Sequence, residues 1–356
     1  MTAHDHDSLA AVPAGPAPLA TVAAAAGVSV PTVSKVLNSR PDVSAATRAK
    51  VQAALEAHGH TVRRPVSKPT GLVDIRVVSL ESTWSEAVVR GAAESARRHG
   101  VDLVITVDPD PDDCGAWVRH ALARGTDGAV SVVTVPDAAE RQAFADALVP
   151  VVVVDPRVRP PEGLLSVGAT NWQGGLDATA HLVALGHRRI GTITGDDAQA
   201  NALARLAGYR TALIQAGIAP DDSLVRRGDF TVDAGYEEAW HLLSLDDRPT
   251  AIVASSDDTA LGALRAVREA GLRVPDDVSL VGFDDLPIAA WLDPALTTVH
   301  QPLVEMGAAA VDLLHRARSG TGHTVRAELA TTLVERASTA PPPAVVRSPA
   351  HPRQKT

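Results

Sequence analysis

Apolar residues fall into two textures along the chain. Between 18 and 60 they recur every three or four positions over short stretches, and no run reads as a strand. Between 72 and 336, β-branched runs alternate with stretches of helical period. The runs DIRVVSL, VDLVITV, GAVSVV, VPVVVVD, RIGTITG, TAIVAS and VSLVGF predict strands. Amphipathic helices are predicted at 86–99, 171–185, 202–216, 256–270 and 302–318. Near-continuous apolar strands alternating with helices predict parallel sheets covered on both faces. The span is long for one doubly wound domain, so two lobes are expected.

Three segments lack either period. Residues 1–17 are Ala/Pro/Gly-rich, and residues 340–356 hold five prolines and no leucine. Both are expected to be disordered tails. Residues 61–70, with Pro65 and Pro69 among Arg63, Arg64 and Lys68, read as a basic linker. The expected organisation is therefore a helical head at 18–60, the linker, and a body at 71–339. Within the body, an N-lobe is expected at about 71–168 and 301–329, and a C-lobe at about 169–298 and 330–339.

Composition narrows the class. The chain of 356 residues is 45% hydrophobic and 21% charged, an ordinary globular balance. Its one cysteine, Cys114, excludes an intrachain disulfide and a cysteine-based metal site, in keeping with a reducing compartment. No apolar run approaches the roughly 18 residues of a membrane helix. The early acids Asp5 and Asp7 do not suit a secretory signal, so a cytoplasmic protein with no membrane partner is expected. The net charge of −9 is unevenly spread. Residues 18–68 carry seven basic and two acidic side chains, and residues 69–356 carry 26 basic and 38 acidic ones. A basic head on an acidic body suggests a polyanion-binding module, although a solvated charged face would look the same.

The head has the punctuation of a helix-turn-helix. A first helix is predicted over Thr21–Ala26, ended by Gly27. Ser29 caps a second over Val30–Leu37, with Pro31 tolerated in its first turn and Val33, Val36 and Leu37 on its inner face. Ser44 caps a third at 45–57, with Val51 and Leu55 facing inward. Two short helices joined by a glycine turn place the second in the DNA major groove. The candidate contacts are Val30 for a thymine methyl, Lys35 for guanine acceptors, Pro31 on the exposed face, and Thr32, Ser34, Asn38 and Ser44 for phosphates. The competing reading is a three-helix packing unit with no DNA role.

In the body, ligands of open α/β sheets bind beyond the carboxyl ends of the strands. The residues met there are Trp84, Asp155, Asp196 with Arg205 on the next helix, Phe230, Ser256, Asp284 and Gln301. Trp172 and Trp291 also sit at strand-to-helix junctions, where indoles suit stacking on one or more sugar rings; packing of loops is the alternative. The glycine-containing junctions lack GxGxxG and phosphate loops, and GxSxG and HExxH do not occur. His187 precedes a strand and reads as structural.

The stretches AGVSVPTVSKVLN and VSAATRAKVQAALEAHGH resemble the head of the lactose/galactose-repressor (LacI/GalR) family of bacterial regulators. SVGATNWQGG, HLVALGHRRIGTITG, ARLAGYRTAL, SSDDTALGALRAVREAGLRVPDDVSLVGFDDLP and LTTVHQPLVEMG resemble its effector domain in the same order, so the likeness runs from about Leu19 to Ser338. The resemblance implies a type I periplasmic-binding-protein-like body of two lobes, a homodimer, operator DNA as partner and a sugar effector in the cleft. It implies no cofactor, metal or catalysis. It carries effector-contacting roles to Asp155, Arg205, Phe230 and Asp284. Ser256 stands where the family often has Asn, which puts that contact in doubt. The texture is most similar to actinobacterial xylose or xylo-oligosaccharide regulators.

The tail lacks the leucine-heptad helix of tetrameric relatives, so a dimer is expected. The linker departs from the family by having no leucine between Leu55 and Leu72, and the expectation is an extended arm offering Arg63 and Arg64 to the minor groove. The expected function is a repressor released from its operator by a sugar. The alternatives are a ligand that promotes DNA binding, an activator, or a sugar-binding transport protein.

Overall fold

The computed structural model describes residues 17–37, 43–58, 69–108, 110, 114–320 and 326–349. The linker at 61–68, with Arg63 and Arg64, and the residue Asn38 lie outside them. Contacts divide the chain into two compact units, 1–69 and 70–356.

The described residues of the first unit form three helices, α1 (Leu19–Ala26), α2 (Val30–Leu37) and α3 (Ala45–Ala57). α1 starts two residues earlier than its sequence pattern suggests, directly after Pro18. Gly27 ends it in the left-handed region at φ 66°, and the Val28 N–H returns to the Ala23 carbonyl at 3.0 Å. α1 and α2 then diverge by 97°. Val22, Ala23, Val33, Val36, Val51 and Leu55 form the buried core.

The second unit continues with β1 (Leu72–Val77), α4 (Thr83–Arg98), β2 (Asp102–Val107), α5 (Gly115–Arg124), β3 (Gly128–Val132), α6 (Ala138–Asp146), β4 (Val151–Val154) and β5 (Leu165–Ala169). Next come α7 (Asn171–Ala184), β6 (Ile190–Thr194), α8 (Ala200–Gln215), β7 (Val225–Arg227), α9 (Val232–Leu243), β8 (Ala251–Ala254), α10 (Asp257–Glu269) and β9 (Ser279–Asp284). It closes with α11 (Pro287–Trp291), β10 (Thr297–His300), α12 (Leu303–Ser319), β11 (Arg326–Leu329) and β12 (Thr332–Val334).

These strands make two six-stranded sheets, ordered β11-β5-β4-β3-β1-β2 and β12-β10-β9-β8-β6-β7. All pairings are parallel except β10 with β12. Each sheet is the centre of one lobe, and the chain passes between lobes after β5, after β10 and after β11. In the N-lobe, α4 and α12 cover one face and α5 and α6 the other. In the C-lobe, α9 and α10 pack on one face and α7 and α8 on the other. Burial on both faces explains why β3, β4, β6, β8 and β9 are buried along their whole length, as their unbroken apolar runs require.

Glycines set the close helix crossings. A Cβ on Gly175 in α7 would strike the backbone of Arg205, and one on Gly208 in α8 the backbone of Trp172. This contact brings Arg205 and Trp172 to the same side of the C-lobe.

The tail from 340 does not follow its expected disorder over its described part, 340–349. The Ala340 carbonyl accepts from His187 Nε2 at 2.9 Å, and the Arg347 carbonyl from Arg248 Nε at 2.7 Å. Buried donors of the C-lobe need acceptors, and an aperiodic prolyl segment can supply them without a helix or strand. His187 also bonds Thr250 and Ser279, and burial holds its imidazole below the ordinary range, so its role there is structural. Among the described residues no single helix is long and apolar enough to cross a membrane.

Candidate functional site

In the head, Ser29 Oγ accepts the Thr32 N–H at 3.3 Å and bonds the Thr32 hydroxyl at 2.8 Å, capping α2. Val30, at 42% exposure, Pro31 and Lys35 lie on the outer face of α2, and Thr32 and Ser34 are half-buried beside them. The helix therefore offers a small apolar group, a hydroxyl row and a cation over two turns.

In the body, a cavity of about 220 Å³ opens between the carboxyl ends of the two sheets. Trp84, Asp155, Arg205, Phe230, Ser256 and Asp284 all line it. Gln301 does not: it stands behind Arg205, buried, its Oε1 accepting from Nη2 at 3.2 Å. Besides Val133, the sequence reading missed four polar lining residues, Ser82, Gln199, Asn201 and Asp258, and the buried Asn171 beside them. These are polar residues in or next to the first turns of helices, where no periodicity marks them. The only available signal was their place just beyond a strand.

Arg205 is the organising group. Its Nε donates to Asn171 Oδ1 at 2.8 Å, Nη1 donates to the Ser255 carbonyl, and the guanidinium lies 3.6 Å above the Phe283 ring centre. Asn201 Nδ2 donates to Asp155 Oδ2 at 3.2 Å. Asp284 Oδ1 is 3.7 Å from Arg205 Nη1 and accepts no hydrogen bond among the described residues. One guanidinium thus faces the buried carboxyls Asp155 and Asp284, with Asp257 close behind.

Burial pushes the Asp155 and Asp284 carboxyls up from their ordinary values, against the pull of Arg205, and pushes Asp257 up to about 7. Asp257 stays inside the lobe, accepting from Thr298 Oγ1 at 2.6 Å and the Leu286 N–H at 2.7 Å. Asp285 turns away to Arg336 and His300.

The Ser256 hydroxyl is committed locally. It accepts the Thr259 N–H at 3.0 Å as the cap of α10, and it lies 3.3 Å from the Phe230 carbonyl. Val133, Asp155, Phe230 and Asp284 all carry positive φ, from 46° to 112°, and all line the cavity. Such backbone costs about 1–3 kcal/mol per residue and collects at binding sites. Trp172 lies outside this cavity at 41% exposure, and Trp291 is on the surface at 80%. Among the described residues no cluster of His, Cys, Asp and Glu could hold a metal.

Comparison with known proteins finds matches for both the head and the body. Residues 19–61 match the model of bacterial regulatory proteins of the lacI family, and residues 179–339 that of a periplasmic binding protein-like domain. The ribose operon repressor of Escherichia coli (strain K12) is 33% identical over 325 residues, covering 89% of this chain and 98% of its own length. The chain belongs to the LacI family. A solved complex of the transcriptional regulator CelR with cellobiose is 33% identical with a TM-score of 0.70, covering 90% of this chain and 99% of its own. The lac repressor dimer bound to operator and the anti-inducer ONPF is 31% identical with a TM-score of 0.68, covering 91% and 99%. This LacI-family chain is a sequence-specific DNA-binding transcriptional regulator and not an enzyme.

Proposed function

We propose that this regulator is a homodimeric cytoplasmic repressor whose operator affinity is set by a neutral sugar held between its lobes. The observation that carries the reading is the buried Asp155–Arg205–Asp284 cluster, in which Asp284 Oδ1 pairs with Arg205 but accepts no hydrogen bond among the described residues. Buried carboxyls in excess of their cation require hydrogen-bond donors from the ligand. A polyol supplies donors without adding charge, and its C–H faces suit Phe230 and Trp84. An anion such as a phosphate ester would worsen the charge balance. Because the N-lobe contributes Ser82, Trp84, Val133 and Asp155 and the C-lobe the rest, the ligand favours closure by its contacts to both.

On the DNA side, Val30, Pro31 and Lys35 are proposed to meet base edges, with Thr32, Ser34 and Asn38 at phosphates. Arg63 and Arg64 are proposed as minor-groove contacts. A dimer reads two half-sites, and the dimeric lac repressor on its operator, 31% identical, supports that state. Xylose and its oligomers are the first ligands to test. The experiment is titration calorimetry of sugars, followed by operator gel shift with each binder. A sugar that binds and releases the operator supports the reading. A panel in which none binds, or in which a binder tightens the DNA complex, overturns it.

A further inference from the structure

A second cavity, of about 350 Å³, adjoins the first. The two share Asp155 and Asn201 as a wall, and a single 3.2 Å side-chain hydrogen bond joins those residues. The first cavity alone falls below the ~300–1,000 Å³ of ordinary small-molecule sites, whereas the pair together falls within it.

The chemistry of the second cavity is that of a carbohydrate subsite. Trp172 lines it with a 41% exposed indole, in the first turn of α7, where the Gly208 crossing fixes its backbone. The same cavity is lined by planar polar groups: Gln173, Asn171 and the Arg326–Glu328 ion pair, closed at 2.6 Å. Arg326 is thus balanced by Glu328, and Asp155 adds further negative character, so the pocket does not suit an anion. A flat aromatic face rimmed by amide, guanidinium and carboxylate groups matches a pyranose ring with its C–H face and equatorial hydroxyls. The walls again come from both lobes, Arg326 and Gly168 from the N-lobe and α7 and α8 from the C-lobe, so occupancy would add to closure. Gly168 also shows that this space is unfilled: a Cβ built there meets nothing within 4 Å.

We propose that the effector is a linear saccharide of at least two rings, one held by Arg205 and the next stacked on Trp172. This rests on the sugar reading above and deepens it. The test is calorimetry on the full chain with xylose and glucose against xylobiose, cellobiose and maltose, repeated for Trp172→Ala and Gly168→Val, with thermal melts to verify folding. Gly168→Val fills the cavity from a strand position with ordinary φ.

The expected result is that one disaccharide binds about tenfold or more tighter than its monosaccharide. Both variants should remove that gain and leave monosaccharide affinity within about twofold. Equal affinity for one and two rings in the parent protein overturns the proposal while leaving the sugar reading intact. So does a disaccharide affinity untouched by Gly168→Val. Binding of none of the five sugars overturns both.

Discussion

The head and the cleft carry their working groups in opposite ways. The head has a core of six buried apolar side chains among the described residues, and the residues offered outward on α2, Val30, Pro31 and Lys35, take no part in it. In the body, Arg205, Asp155 and Asp284 are themselves buried, and the bonds that aim them also bind α7, α8 and the ends of the strands. Recognition and stability are therefore separable in the head and joined in the cleft. The backbone repeats this difference, because the positive-φ residues lining the cleft are at the candidate ligand site, while the head's one left-handed position among the described residues is a glycine in a turn.

The strongest test of the joined case is Arg205→Ala. It leaves two buried carboxyls without a counter-charge and Asn171 and Gln301 without a donor. Denaturation should show a loss of about 3–5 kcal/mol, and calorimetry no effector binding. Lost binding at unchanged stability would break the comparison. In the head, Leu55→Ala should cost about 2–5 kcal/mol because the core is small. Gel shift should then show lost operator binding, with sugar affinity unchanged.

Lys35→Ala probes the separable case. Operator affinity should fall by about 1–3 kcal/mol with an unaltered melting curve. A shifted melt would tie that side chain to the fold. The smallest effect is expected for Ser256→Ala, which removes the cap of α10 and should cost about 1 kcal/mol in stability, with sugar affinity nearly unchanged. A large affinity loss there would return Ser256 to the ligand.

Much of both regions was legible from the chain. Helix period, Gly27 and the caps Ser29 and Ser44 mark the three head helices, because local backbone chemistry decides where a short helix starts and stops. The strand-end rule leads to Asp155, Phe230, Ser256 and Asp284, since a parallel sheet brings all its carboxyl ends to one edge. It does not separate Gln301, which supports Arg205 from behind, from residues that face the cavity. Nor does it find Asn171 or Asn201, which matter through partners distant in sequence.

The sequence by itself determined the alternation of strands and helices, the largely parallel character of the sheets and the division into a basic helical head and an α/β body. Periodicity, turn chemistry and charge are local properties, and a single chain displays them. Tertiary structure alone decided which polar groups are buried together, that the Ser256 hydroxyl is spent on a cap, and that Trp172 borders a cavity while Trp291 faces solvent. It also decided that residues 340–349 lie along the C-lobe. Those outcomes depend on desolvation and on partners up to about a hundred or more positions away, such as Arg205 with Gln301 and Arg248 with Arg347, and no local pattern records them.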